Sequence, residues 1–216
     1  MGYSVIIGLN CALDSLVSTA AGAGELELCG VYLNRQRLIV TMVMVPMLGM
    51  AMKLEEVLVL FGQDPVVSAY TAQYIWIYLP GLYMRGLQMC QVKFLNNLGK
   101  TRIPMFCNIA AVAIHPLWCY IYVYQWGMKL NGIGLANVTS LTLLYTFTLA
   151  YSLYLEDIRP AMFFPDHRTF TGIMDQLKLG VQSAFMICLD IWAGCLVMFF
   201  AAYISVSAQG AQVILN

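Results

Sequence analysis

Charge is what this sequence has least of. Asp, Glu, Lys and Arg make up 10% of its 216 residues, against about a quarter in a soluble globular domain, too few to clothe a water-exposed surface. The 11 basic and 11 acidic residues cancel, so no cationic field exists to hold a nucleic-acid backbone. Motifs of soluble catalysis are missing as well: there is no G-x-x-x-x-G-K-[ST], no G-x-G-x-x-G after a strand, no H-E-x-x-H and no G-x-S-x-G. An ATP-driven pump would need a nucleotide domain that this sequence does not hold, and an enzyme finds no support. The seven cysteines (Cys11, Cys29, Cys90, Cys107, Cys119, Cys188 and Cys195) lack metal-site spacing and read as small apolar helix residues. No cofactor or metal is expected.

What is present is apolar. Hydrophobic residues reach 61% and the mean hydropathy is +0.74, so lipid is the expected solvent. A helix rises about 1.5 Å per residue and the hydrocarbon core is about 30 Å thick, so a spanning segment needs about 20 mainly apolar residues. Six stretches qualify: Tyr3 to Ala23, Leu38 to Leu60, Val66 to Val92, Pro104 to Trp126, Ile133 to Leu155 and Leu177 to Ile204. Runs this long and continuous are not barrel strands. The expected architecture is an all-α membrane bundle of six transmembrane helices.

Turn chemistry joins them, at Gly22 to Glu25, Gly62 to Pro65, Asn97 to Lys100 and Lys129 to Gly132, and a longer connector runs from Glu156 to Gly172. Basic residues orient the bundle, because short cytoplasmic loops carry the excess of Lys and Arg. Eight of them (Arg35, Arg37, Lys93, Lys100, Arg102, Arg159, Arg168 and Lys178) fall in the odd loops, and only Lys53 and Lys129 in the even ones. The odd loops are expected to face the cytoplasm and to share one end of the bundle. A further helix before Tyr3 would account for the chain ends lying on the other side.

Ionisable groups inside a span cost at least about 2.5 kcal/mol, which makes them functional candidates. Asp190 lies mid-span in the sixth stretch, with Ser183, Met186, Ala193 and Gly194 on or near its helical face. A carboxylic acid in apolar surroundings can exchange protons, the property a proton-coupled carrier needs; a hydrogen-bonding role between helices is the plainer use. Asp14 shares a polar stripe with Asn10 and Ser18, fit for helix packing, gating or cation binding. Arg85 shares a face with Tyr78 and Gln88 and sits close enough to a helix end to snorkel. Pro80 and Pro116 predict local kinks. His115 reads as a packed residue, with no second ligand-type residue expected one turn away. Tyr and Trp near helix ends are ordinary interfacial anchors, yet aromatic and Met side chains around a cavity would also suit apolar cations.

Several segments, in consistent order, resemble the multidrug and toxic compound extrusion (MATE) family. Gly8 to Gly24 (GLNCALDSLVSTAAGAG) is similar to the family's ALDTLCGQAFGAG stretch, and Leu33-Asn34-Arg35 to its LQR. Phe61 to Pro65 is similar to LGQDP, and Phe94-Leu95-Asn96 with Pro104 to FLQxQ…P. Asn131 to Asn137 resembles the glycine-containing element that opens the next helix. Leu177 to Met186, Leu189 to Trp192 and Ala208 to Asn216 resemble LKLAxPSAxM, LEWW and AAQxIxxN. Departures are Thr19 for Gln, Gln182 for Pro, Leu98 for the second Gln, and Arg85, which has no expected counterpart.

By this resemblance the six helices are the family's second to seventh of twelve. Residues 1–155 would form most of the first lobe, 156–176 the cytoplasmic interlobe linker, and 177–216 the first helix of the second lobe, so that the sequence is a fragment. The implied function is secondary antiport, exporting organic cations in exchange for H+ (or Na+) by alternating access, from a monomer in the plasma or a vacuolar or vesicular membrane. Asp190 falls where the family carries a Glu implicated in coupling, with Trp192 lining the same lobe and Gln212 in the closing element as a further candidate. Partners would be the bilayer and a small amphipathic cation. A lipid-linked precursor flippase of the same superfold would want a more cationic cavity. A non-transporting scaffold or regulatory subunit is the remaining alternative.

Overall fold

The computed structural model describes residues 2–60, 62–163 and 166–204, and no strand occurs among them. The helices are α1 (Gly2–Gly22), α2 (Leu26–Met52), α3 (Leu54–Leu60), α4 (Pro65–Asn97), α5 (Arg102–Cys119) with a π-helical extension to Gln125, α6 (Lys129–Tyr154), α7 (His167–Phe170) and α8 (Ile173–Ile204). Each apolar run has become helix, and the punctuation residues do what their chemistry dictates. Gly62 turns the chain at φ +80°. Asp64 then caps α4 by accepting from the amides of Val66 at 2.8 Å and Val67 at 3.4 Å, and Pro65 takes the first helical position, where no amide is required.

By length and composition α1, the extended α5, α6 and α8 can each cross a membrane, and α2 with α3, bent by 54°, counts as a fifth span when the pair is taken as one. The difference from the six expected is α4. Its 33 residues reach about 50 Å, but Arg85, Gln88, Gln91, Lys93 and Asn97 dilute its apolar character. Those polar groups lie along the inner half of the helix, where Gln88 and Gln91 are buried against other helices, which is how a helix of low hydropathy traverses the bundle. Arg35, Arg37 and Lys93, expected in loops, are likewise helical residues, because α2 begins at Leu26 and α4 runs to Asn97. Helix α5 passes through Pro116, and the wider π turn begins one turn later at Tyr120.

Helix α4 is the hub: α1, α2 and α6 pack on it, and α5 packs on α6. The core comprises Leu13 and Val17 of α1, Cys29, Leu33 and Val40 of α2, and Cys90, Phe94 and Leu95 of α4, closed at one end by Ile158 and Ala161. That end is where the α1–α2 turn, the α4–α5 turn and the linker meet. Lys100 donates to Asp157 at 2.7 Å, and Arg168 lies 3.8 Å from Glu27. The loops richest in basic residues do share one end.

Helix α8 stands apart from this body and packs chiefly on α1. Gly180, Ala184 and Cys188, spaced by four, face Leu9, Gly8 and Ser4 of the antiparallel α1. A Cβ on Gly180 would stand 3.1 Å from the Leu9 Cδ2, and one on Gly8 would lie 2.8 Å from the Ala184 Cβ; Cys188 Sγ is 3.7 Å from Ser4 Oγ. Small residues on both helices let the backbones approach this closely.

Candidate functional site

Among the described residues two carboxylates lie well inside the spans, Asp14 and Asp190, and their surroundings differ. Asp14, on the stripe expected for α1, faces α4. Its Oδ2 pairs with Lys93 Nζ, its Oδ1 accepts from Asn97 Nδ2 at 3.1 Å, and Lys93 Nζ also approaches Cys11 Sγ at 3.7 Å. Asn10, one turn earlier, is fully buried; it donates to the Ile6 carbonyl at 2.9 Å and accepts from Cys90 Sγ at 2.9 Å. Further along, Ser15, Ser18 and Thr19 are exposed. The stripe is therefore a helix-packing face at Asn10, an ion pair at Asp14 and an open polar surface beyond.

Several other polar groups of α2, α4 and α6 bond to one another, although Arg37 Nε and Gln88 Oε1 are buried without a partner. Arg37 donates to Asn34 Oδ1 at 3.1 Å and to Gln91 Oε1 at 2.7 Å. Gln91 passes a hydrogen bond to Ser152 Oγ at 2.9 Å, and Gln88 donates to Thr148 Oγ1 at 3.1 Å. Gln88 thus belongs to the interior, while its expected neighbours Tyr78 and Arg85 do not join it. Tyr78 stacks on Tyr74 with ring centroids 6.0 Å apart, and half-buried Arg85 has no hydrogen bond or ion pair among the described residues. His115 bonds Ser140 at 2.8 Å, and Cys119, one turn on, brings its sulfur within 3.5 Å of Nε2. The ligand-type neighbour not expected there is present, but no group of three or more His, Cys, Asp or Glu among the described residues is placed to share a metal ion.

Asp190 has none of these satisfactions. It lies on the side of α8 away from α1, exposed in the isolated chain along with Met186, and it has no hydrogen bond or ion pair among the described residues. Trp192 is separated from it by about 200° of helical rotation and continues the Gly180–Ala184–Cys188 row, 44% exposed. The two therefore address different surfaces. Gln212 lies outside the described residues.

A groove of about 500 Å³ opens between α2 and α4, lined by Thr41, Met44, Val45, Leu48, Trp76 and Tyr83 among others. Its polar feature is the Thr41–Tyr83 hydroxyl pair at 3.1 Å; the rest is apolar, with Met44 and Trp76 set among Val45, Leu48, Leu79 and Pro80. A larger groove of about 920 Å³, with Glu25, Glu27, Arg35, Asp166 and Arg168 on its walls, lies where the linker meets the α1–α2 turn. Sequence reasoning missed Lys93 and Asn97 as partners of Asp14, and Arg37, Gln91 and Ser152 as an interhelical chain.

Comparison with known proteins places these features in a family. The MatE family model matches residues 1–121. Multidrug and toxin extrusion protein 1 of Oryctolagus cuniculus is 32% identical over 98% of this chain and 37% of its own length. Protein DETOXIFICATION 16 of Arabidopsis thaliana is 27% identical over 89% of this chain and 40% of its own. The crystal structure of the eukaryotic MATE transporter AtDTX14 superposes with a TM-score of 0.85 at 24% identity, over 92% of this chain and 44% of that one. The chain thus spans about two-fifths of the length of the curated relatives it matches.

Proposed function

The chain belongs to the MatE family, and from that premise we propose that its full-length gene product is a secondary antiporter that exports organic cations in exchange for protons. The observation that carries the proposal is the position of Asp190, an acid in the interior of α8 on the side turned away from α1. An ionised side chain left in hydrocarbon costs at least about 2.5 kcal/mol, so a mid-span carboxylate without a partner must face a water-filled cavity or another segment. A site of that kind, reached from one side at a time, is what cation exchange requires, because the same acid must alternately hold a proton and give way to a cationic substrate. Asp14 is already engaged by Lys93 and Asn97, so it serves packing or gating rather than coupling in this reading. The α2–α4 groove with Trp76, Tyr83 and Met44 offers the kind of deformable surface on which apolar cations settle. The basic end of the bundle is assigned to the cytoplasm, the membrane being plasma or vacuolar.

Efflux driven by a pH gradient, measured in vesicles containing the full-length gene product, tests the reading. Asp190→Asn is expected to abolish gradient-driven transport while leaving the protein folded. Undiminished efflux in that variant would refute the coupling role.

A further inference from the structure

The Leu33-Asn34-Arg35 segment is a turn of α2 whose part in the fold is explained by what wraps around it. Asn34 Nδ2 donates to the Phe163 carbonyl at 2.8 Å. Arg35 donates through Nε to the Thr169 carbonyl at 3.3 Å and through Nη2 to that of Arg168 at 3.0 Å, and its guanidinium lies 5.5 Å above the Tyr32 ring. Gln36 Oε1 accepts from Gln176 Nε2 at 2.9 Å, and the same amide reaches the Tyr32 carbonyl at 3.2 Å. Gln36 donates in turn to the Leu9 carbonyl at 3.0 Å. Three consecutive residues diverge by about 100° each around a helix, yet each holds a successive piece of chain between residues 163 and 176. The linker is therefore wound around α2, and Gly30 allows the contact, since a Cβ there would meet the Phe163 ring at 2.7 Å.

We propose that Arg35 is a positioning residue: by gripping the end of α7 it fixes the direction in which α8 leaves the linker, and so the place at which α8 presents Asp190. Gly172, at φ +81°, is the joint between α7 and α8, and a Cβ on it would stand 3.3 Å from Arg35 Nη1. The guanidinium thus lies under the joint as well as on the carbonyls before it. Gln176 supplies the second hold, one turn into α8. A planar, forked donor that also stacks on a ring is a task Lys cannot perform. The proposal rests on Asp190 being the coupling group only for its effect on transport; the geometry stands without it.

Limited trypsin digestion of the full-length gene product reads the geometry directly, because Arg35 holds the carbonyl of the Arg168–Thr169 peptide and that of the peptide after it. Arg35→Ala should raise the cleavage rate at Arg168 at least about tenfold, the factor that losing even one charge-assisted hydrogen bond carries, while cleavage after Lys100 stays constant. Arg35→Lys should restore only part of the protection. Gln176→Ala, which keeps Arg35, should loosen the same bond to a lesser degree and serves if Arg35→Ala fails to fold. In vesicles Arg35→Ala should lower the turnover rate severalfold with little change in half-saturation by substrate. Unchanged cleavage at Arg168 in both variants overturns the proposal. If Asp190→Asn leaves efflux intact while Arg35→Ala still exposes Arg168, the coupling assignment falls and the positioning role stands.

Discussion

Of the glycines where α1 and α8 meet, Gly8 is the more tightly packed, which makes Gly8→Ala an informative change. A Cβ placed there would lie 2.8 Å from the Cβ and 2.9 Å from the backbone nitrogen of Ala184, whereas carbon atoms rest about 3.5 to 4.0 Å apart. Nearest of all is the Ala184 Cα, and backbone cannot rotate away as a side-chain tip can, so the helices must part by more than about 1 Å or stay strained, at a cost of about 1–3 kcal/mol. Gly180→Ala provides the contrast, since its new methyl meets the tip of the Leu9 side chain at 3.1 Å, and that tip can move. Both changes gain similarly in helix propensity, by up to about 1 kcal/mol, so that contribution cancels in the comparison. Ser4→Cys supplies the assay, because position 4 faces native Cys188 at 3.7 Å, within reach of a disulfide. In vesicles of the full-length gene product under mild oxidant, mass spectrometry of the peptide joining position 4 to Cys188 reports how often the two helices are docked. A penalty of 1–3 kcal/mol shifts that population by about 5–150-fold, so cross-linking should fall by a comparable factor in Gly8→Ala and little in Gly180→Ala. Equal yields in the two variants would refute the packing argument.

The Asp14–Lys93 pair is partly screened, with Asp14 44% and Lys93 17% exposed in their side chains, so its worth lies between that of surface and buried pairs. Lys93→Met should cost about 1–2 kcal/mol, and adding Asp14→Asn should recover most of it, as thermal unfolding of the two single variants and the double variant will read. At the loop end, the Lys100 hydrogen bond and then its charge hold Asp157 below the usual carboxylate range. A depressed acid contributes above its unfolded value and loses that contribution as pH falls through the folded one. The tie should therefore be intact at neutral pH and broken in strong acid, and Asp157→Asn should abolish the small part of the acid-induced loss of thermal stability that this tie contributes.

Much of the fold was legible because its signals are local. Apolar run length located the helices, Gly62-Gln63-Asp64-Pro65 located a helix start, and the distribution of Lys and Arg located the end where the loops gather. The isolation of Asp190 was also legible, since it depends on what is absent from the surrounding run. Pairing between helices was not. Lys93 and Arg37 read as loop charges because nothing in their own neighbourhood reveals the Asp14 carboxylate or the Gln91 amide that meets them across the bundle. The apolar run Val66 to Val92 is legible as a span, but not the burial of Gln88 and Gln91 within α4 against other helices. Asp190 and Trp192 lie two residues apart in one motif, yet helical rotation sends them to different surfaces.

Proline divides both helices that flank the α2–α4 groove. In α2 the buried positions run from Cys29 to Val40, Pro46 follows, and of the later residues only Ala51 is covered. In α4 nine of the eleven buried residues follow Pro80, and only Ser68 and Ala72 precede it. Each proline removes a rung of the helical ladder, close to where the anchored portion gives way to the uncovered one. The portion of α4 before Pro80 stays braced by α6, where Tyr74 and Ile77 meet Gly134, whereas α2 past Pro46 has only Ala51 covered, so of the two walls of the cleft it is α2 that has room to give.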